Sequence, residues 1–479
     1  MKKIYLLLLG LAVIFSSCDD DDDDATTTDP GLNGETQFVT RTVERNDVTF
    51  EETTITDFGQ GTGDFTMRTG EVYILDGFVF VNEGQILTIE AGAIIKGASG
   101  QGENASALIV ARGARIEAEG TAENPIIFTA EADDIVPGQS RGDLVTTASG
   151  LWGGVIILGN ASLNSVPNEQ SIEGVPTNLN RGIYGGDDDT DDSGIFRYVS
   201  IRHAGTDLGS GDEINGLSMG GVGSGTTIEY VEVISNKDDG FEWFGGTVNC
   251  KYLVAAFCGD DSFDYDLGWR GNVQFAFAIQ GSAGERGGEH DGGEDPETGE
   301  PFATPVFFNA TYIGQGQGTS TRAVTFRDNA GGEYHNSIFA EFGAGIDVED
   351  LDDGEDSFAR LVAGQLALAN NAFFNVGATG VTTTVNNVTN RTDSAEDEFS
   401  LTSGGTPGVN DFDFDTEVYD PGLDMFGVPS NTGSTDFSSS EDPFFDTANY
   451  RGAFDPDDDT PWHAGWTLFA VAVGAGETF

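Results

Sequence analysis

Residues 238–271 contain one phrase twice. Asp238-Asp239-Gly240-Phe241-Glu242-Trp243 returns 22 residues later as Asp260-Asp261-Ser262-Phe263-Asp264-Tyr265. Just upstream, Tyr230-Val231-Glu232-Val233 returns as Tyr252-Leu253-Val254-Ala255 with the same offset. Two segments that share an offset describe a repeating coil. A period in the range of roughly 20–30 residues, with short apolar strands and glycine turns, is that of a β-solenoid rung.

The pattern extends in both directions. Val72-Tyr73-Ile74-Leu75, Phe78 to Val81, Ile86 to Ile89 and Ala93 to Ile95 are short β-rich runs separated by Gly or Asn. Val81-Asn82-Glu83-Gly84 is echoed by Val110-Ala111-Arg112-Gly113 at an offset of 29. Ile89-Glu90-Ala91-Gly92 is echoed by Ile116-Glu117-Ala118-Glu119-Gly120 at an offset of 27. Residues 161–194 and 281–303 read as excursions from the coil. The expected fold is all-β, a parallel β-helix spanning 71–376 as one domain. An acidic tether and lead-in (18–70) precedes it. An acidic, loop-rich region (377–479) follows, in which Tyr450 to Phe454, Trp462 and Trp466 are expected to cap the solenoid's last apolar face.

Residues 1–17 have the make-up of an export signal: Lys2 and Lys3, an apolar run from Ile4 to Phe15, then Ser16 and Ser17. That run is too short to prefer a membrane-spanning helix. Six aspartates, Asp19 to Asp24, follow Cys18. Asp and Glu number 81 against 21 Lys and Arg, a formal net charge of −60. Phosphate backbones would be repelled by such a surface, so nucleic acid is not an expected partner. Cys250 and Cys258 are eight residues apart, which on a straight strand is about 26 Å, beyond disulfide reach. They could bridge only where the chain turns between them, and two free buried thiols are the favoured reading.

Ser16-Ser17-Cys18 after the apolar run resembles the lipobox of bacterial lipoproteins. The resemblance implies cleavage before Cys18 and a lipid on its thiol and new N-terminus. The acidic run behind Cys18 is similar to signals that send some lipoproteins to the outer face of the outer membrane. Gly150 to Asn160, Asp239 to Val248 and Tyr450 to Pro456 resemble a group of surface lipoproteins among the right-handed parallel β-helix proteins of Gram-negative bacteria. The resemblance implies the fold. It carries no catalytic residue over to this chain.

In a parallel solenoid, equivalent residues of successive coils stack about 4.8 Å apart. Asp239 is thus expected over Asp261, and Glu242 over Asp264. Two ionised carboxylates that close repel by about 1 kcal/mol in water and several times more near a protein surface. Three arrangements relieve this: a Ca²⁺ ion, a shared proton, or splayed and solvated side chains. Asp239, Glu242, Asp261 and Asp264 are the candidate metal ligands. Trp243, Tyr265, Trp269 and Arg270 beside them are candidates for a sugar-binding face, since aromatic planes and nearby acids suit sugar rings. The alternative for the aromatics is a stacked ladder between coils.

Weaker motifs are also present. Asp187-x-Asp189-x-Asp191 alternates like a calcium loop but lacks its Gly and terminal Glu. Asp347, Glu349, Asp350, Asp352 and Asp353 read as an acidic turn, and His290 as a loop tip. No zinc-ligand spacing, nucleophile elbow, P-loop or dinucleotide fingerprint occurs, so no nucleotide or organic cofactor is expected. The reading is a surface-anchored lipoprotein that binds polysaccharide or cell-surface glycan along one face with Ca²⁺ support. Parallel β-helix lyases typically combine Ca²⁺-binding acids with an Arg or Lys base. The alternative is thus a polysaccharide lyase or glycoside hydrolase using Asp261, Asp264 and Arg270. A second alternative is a structural spacer.

Overall fold

The computed structural model describes residues 34–176, 180–209, 212–294, 296–351, 356–384, 388–392, 415–433 and 442–477. Cys18 and its acidic run lie outside these residues. Among the described residues, strands gather into one sheet of eighteen and one of ten, with two short pairs besides. Nearly every pairing in the long sheets is parallel, joining a strand to its equivalent in the next coil. The chain is an all-β parallel β-helix. Among the described residues, no helix is long and apolar enough to cross a membrane.

The 22-residue repeat is one coil. Thr227–Ile234 pairs with Asn249–Ala256 so that Val231 faces Leu253, and Phe241–Phe244 pairs with Phe263–Asp266 so that Glu242 faces Asp264. Each coil passes along the eighteen-stranded sheet, turns, runs through the ten-stranded sheet and turns again. Strand parity sorts the side chains. Phe241, Trp243, Phe263 and Tyr265 point inward to the main core, with Val231, Val233, Leu253 and Ala255 opposite.

The eighteen-stranded sheet bends at a fixed point in each coil from Tyr198 onward. Tyr198, Tyr230, Tyr252 and Phe275 take up left-handed backbone angles, φ 50° to 62°. Bulky residues adopt such angles at a cost of order 1–3 kcal/mol. Here successive rings stack at 4.3, 4.2 and 4.9 Å, and this contact offsets the strain. From the next coil on, Asn309, Asn336 and Asn370 hold the same bend, as expected of the residue that tolerates it best after glycine.

Several expectations change. Both echoes share one register of 29: Val81 faces Val110, Leu87 faces Ile116 and Ile89 faces Ala118. The sequence echo at 27 slipped by two, a slip that preserves strand parity and so goes unseen in the pattern. The solenoid begins before residue 71, because Val48–Thr56 already pairs in parallel with Val72–Leu75. The segment 281–303 is not wholly an excursion. Arg286–Asp291 is a strand of the ten-stranded sheet, placing Gly288 beside Phe263 and His290 beside Tyr265. Gly288 disguises it: a β-carbon there would meet the His290 ring at 2.8 Å, so the inward slot is left empty of a side chain. His290 is therefore no loop tip. It is buried, stacks on Tyr265 at 4.1 Å and meets the Tyr334 hydroxyl at 2.8 Å. Asp347 and Glu349 likewise lie on a strand, Ala344–Glu349. Cys250 and Cys258 are free and buried.

The C-terminal segment covers the flank of the middle coils. Trp466 meets Tyr198 edge-on at 5.6 Å and Trp462 meets Tyr252 at 5.4 Å. The helix Leu468–Gly474 packs its apolar side over Ile234, Val254 and Phe277. The exposed side of the eighteen-stranded sheet is apolar there, and a solenoid must cover such a face wherever it occurs.

Candidate acidic site on the ten-stranded sheet

The outward side of the ten-stranded sheet changes character along its length. Near its start it is apolar: Phe80, Ile109, Ile156 and Leu158 are roofed by Leu163, Ile172, Val175 and Tyr184 from the excursion that follows. At the next coils the same row becomes Ser218, Glu242, Asp264 and Glu289, each facing the next in register. The edge of the apolar roof thus adjoins a column of acids.

Three acids converge there. One carboxylate oxygen from each of Asp239, Glu242 and Asp264 lies within 4.8 Å of the others. All three side chains are buried, Asp264 being 9% exposed. Asp239 sits in the turn before its strand and accepts the Asp261 backbone N–H at 2.8 Å. Glu242 accepts from the Asn215 side-chain amide. Asp264 Oδ1 is buried with no hydrogen-bond partner in the protein. No Lys, Arg or His among the described residues forms an ion pair with any of the three. Burial, and then the other carboxylates, push all three well above the usual carboxylate range. Glu173 from the excursion adds to the repulsion on Glu242.

Asp261 does not join them. It lies in the adjoining coil against Asp239, but its carboxylate faces Arg286, accepting the backbone N–H at 2.6 Å and meeting the guanidinium at 3.2 Å. It is a structural ion pair, and its place among the expected ligands is corrected accordingly. Arg270 is also corrected. It binds Ser162 at 2.9 Å and Asp189 at 3.1 Å, fastening the excursion rather than the acid column. That pairing explains one acid of the Asp187-x-Asp189-x-Asp191 motif. Asp191 accepts from Ser193, and Asp187 from the Asn168 amide at 3.3 Å, so those acids turn to separate local partners.

The aromatic face is not where it was expected. Trp243 and Trp269 are fully buried and stack on each other at 4.4 Å, and Tyr265 is 1% exposed, its hydroxyl donating to the Gly331 carbonyl. Parity decides this: residues 241, 243, 263 and 265 share the inward side, so the outward residues are the acids between them. None of the three rings can meet a sugar in this fold.

Sequence reading missed the cations that serve this face. Arg286, Arg322 and Arg327 line it. Arg327 meets Glu289 at 2.9 Å and Asp291 at 2.7 Å, and Arg322 meets Asp347 at 2.7 Å. The signal was present as Gly288-Glu289-His290-Asp291, a further copy of Phe263-Asp264-Tyr265-Asp266 whose first aromatic is replaced by glycine.

Chemically, the three converging acids form a buried cluster of hard oxygen donors. A Ca²⁺ ion, which takes several oxygen ligands at once, fits this donor set, and the partnerless Asp264 oxygen is the observation that favours it. Protons shared among the three would also neutralise them. Comparison with curated proteins and with solved structures gives no match. A family model described as a pectate-lyase-like β-helix domain matches residues 59–410, well over half of the chain. The strand order, the stacked coils and this match agree, and the chain belongs to the pectate-lyase-like β-helix domain family.

Proposed function

We propose that this protein is a glycan-binding surface lipoprotein whose working face is the outward side of the ten-stranded sheet. Asp239, Glu242 and Asp264 hold Ca²⁺ there, and the ion bridges to acidic groups of a polysaccharide. The observation that carries the reading is the trio of buried carboxylates with one oxygen lacking any partner. Membership of a pectate-lyase-like family is consistent with a glycan-related role. Titration of the mature protein with uronic-acid polysaccharide in Ca²⁺ is expected to show binding, lost in chelator and weakened at least about tenfold in Asp264→Asn, a change of about 1.4 kcal/mol. Binding unaffected by both treatments would refute the role of this site.

Cleavage of polysaccharide is the second reading, favoured by Arg286 and Arg327 standing beside Glu289 on the same face. Product from a polysaccharide screen that disappears in Asp264→Asn would select it. Asp261 and Arg270 are not assigned to it, being tied to Arg286 and Asp189.

The lipid on Cys18 supplies the anchor in this reading. Cys18→Ser is expected to move the protein from the membrane fraction to the soluble one in labelled cells. Unchanged membrane association in that variant would remove the anchor from the proposal.

A further inference from the structure

A groove of about 760 Å³ runs along the corner where strands of the eighteen-stranded sheet end. Successive coils place Ser235, Phe257, Gln280, Gly314 and Glu341 there in one column, each backbone N–H of the first four bonding the coil that follows. Thr146, Thr147 and Ser149 form part of the groove's lining, and Ser235 ties to this segment by donating to the Thr146 carbonyl. The volume falls within the range of roughly 300–1,000 Å³ usual for small-ligand sites.

Gln280 is the residue that stands out. Its side chain is buried, 8% exposed, and lines the groove. Neither its amide nitrogen nor its amide oxygen has a hydrogen-bond partner in the protein. A buried amide left unpaired on both atoms is costly, of order 1–3 kcal/mol per group. Buried polar groups in native folds are paired with few exceptions, so an adaptable polar ligand is the natural partner.

The lining also decides the ligand's charge. It contains no Lys, Arg or His, and Glu341 is its one acid. The Glu341 carboxylate accepts from the Asn375 amide. On a chain of net charge −60, an anion would find no counter-charge here. Ile279, Ile313 and Phe257 supply apolar surface between the amides and hydroxyls. A pyranose ring offers this combination: apolar C–H faces and a rim of hydroxyls that both donate and accept.

We propose that this groove is a second carbohydrate site, which binds an uncharged sugar unit through the Gln280 amide. It shares no lining residue with the acid trio and needs no cation, so it goes beyond the function proposed above and can fail separately from it. The Gln280 amide, once turned outward from its buried position, offers a donor and an acceptor side by side, the pairing that adjacent sugar hydroxyls satisfy.

The test is calorimetric titration in chelator with gluco-, manno-, galacto- and xylo-hexasaccharides, and with oligogalacturonate for contrast. At least one neutral hexasaccharide is expected to bind and the uronate is not. Gln280→Leu is expected to weaken binding at least about tenfold, whereas Asp264→Asn leaves it unchanged. If Gln280→Leu does not fold, Gln280→Glu serves, because it removes the donor and adds a charge; the same loss is expected. Failure of every neutral oligosaccharide to bind, preference for the uronate, or wild-type affinity in the folded Gln280 variant would overturn the proposal.

Discussion

In chelator, the protein is expected to lose stability as pH rises from about 5 to about 8, and Ca²⁺ is expected to restore most of it. Asp239, Glu242 and Asp264 all have folded pKa values raised by burial and mutual repulsion. A carboxyl raised in this way holds its proton more tightly folded than unfolded. Its contribution is therefore fully present below the unfolded value, near 4, and is lost as pH climbs through the folded value. Asp266 and Glu349, raised to about 7, bring that loss into the neutral range. An ion held by the trio, as proposed above, would replace the protons. At a Ca²⁺ concentration 100 times its dissociation constant, the gain is about 2.7 kcal/mol. Asp264→Asn is the decisive variant. It removes a buried charge, so at about pH 8 in chelator it should melt higher than wild type, yet it should gain little from Ca²⁺. Calorimetry across pH, with and without Ca²⁺, reads both effects. A Ca²⁺ response in Asp264→Asn equal to that of wild type would place the ion elsewhere.

Glu232→Ala is expected to release the C-terminal segment while the coils stay intact. Glu232 is fully buried on the outward side of the eighteen-stranded sheet. Its carboxylate accepts the backbone N–H groups of Leu468 and Phe469 at 2.7 and 2.8 Å, and the Ser200 hydroxyl at 2.5 Å. Arg202 donates to Ser200 at 2.7 Å and so closes the network. These bonds hold the first turn of the helix Leu468–Gly474, where backbone N–H groups lack partners within the helix. Hydrogen bonds to a charged acceptor are worth about 1.5–3 kcal/mol each, so losing two should cost the docked segment about 3–6 kcal/mol. Rapid proteolysis C-terminal to residue 442 and a red shift of Trp462 and Trp466 emission are the expected readouts. Glu232→Gln, which keeps an acceptor, should fall between. Wild-type protease resistance in Glu232→Ala would show that apolar packing alone holds the segment.

The two expectations differ in how visible they were. The stacking of Glu242 on Asp264 follows from the 22-residue offset alone, because a parallel coil sets each residue beside its repeat. The contact between Glu232 and Leu468 spans 236 residues with no repeat to announce it. Arg286 falls between these cases. Its strand was encoded as a degenerate copy of the repeat, but Gly288 stood in the aromatic slot and the segment read as a loop.

The chain's sequence by itself determined the coil. Its period, its strand parity and its stacked acids are local patterns, and a fold that places each residue beside its own repeat translates them directly into space. Only the tertiary structure decided which stacked groups converge. Burial of Trp243 and Trp269, capture of Asp261 by Arg286 and of Arg270 by Asp189, and the approach of Asp239 to Glu242 and Asp264 all depend on which side of the wall a side chain takes and on which distant segment lies over it. The physical reason is that repetition fixes neighbours along the solenoid axis, whereas contacts across its flanks are fixed by excursions and a C-terminal segment that do not repeat.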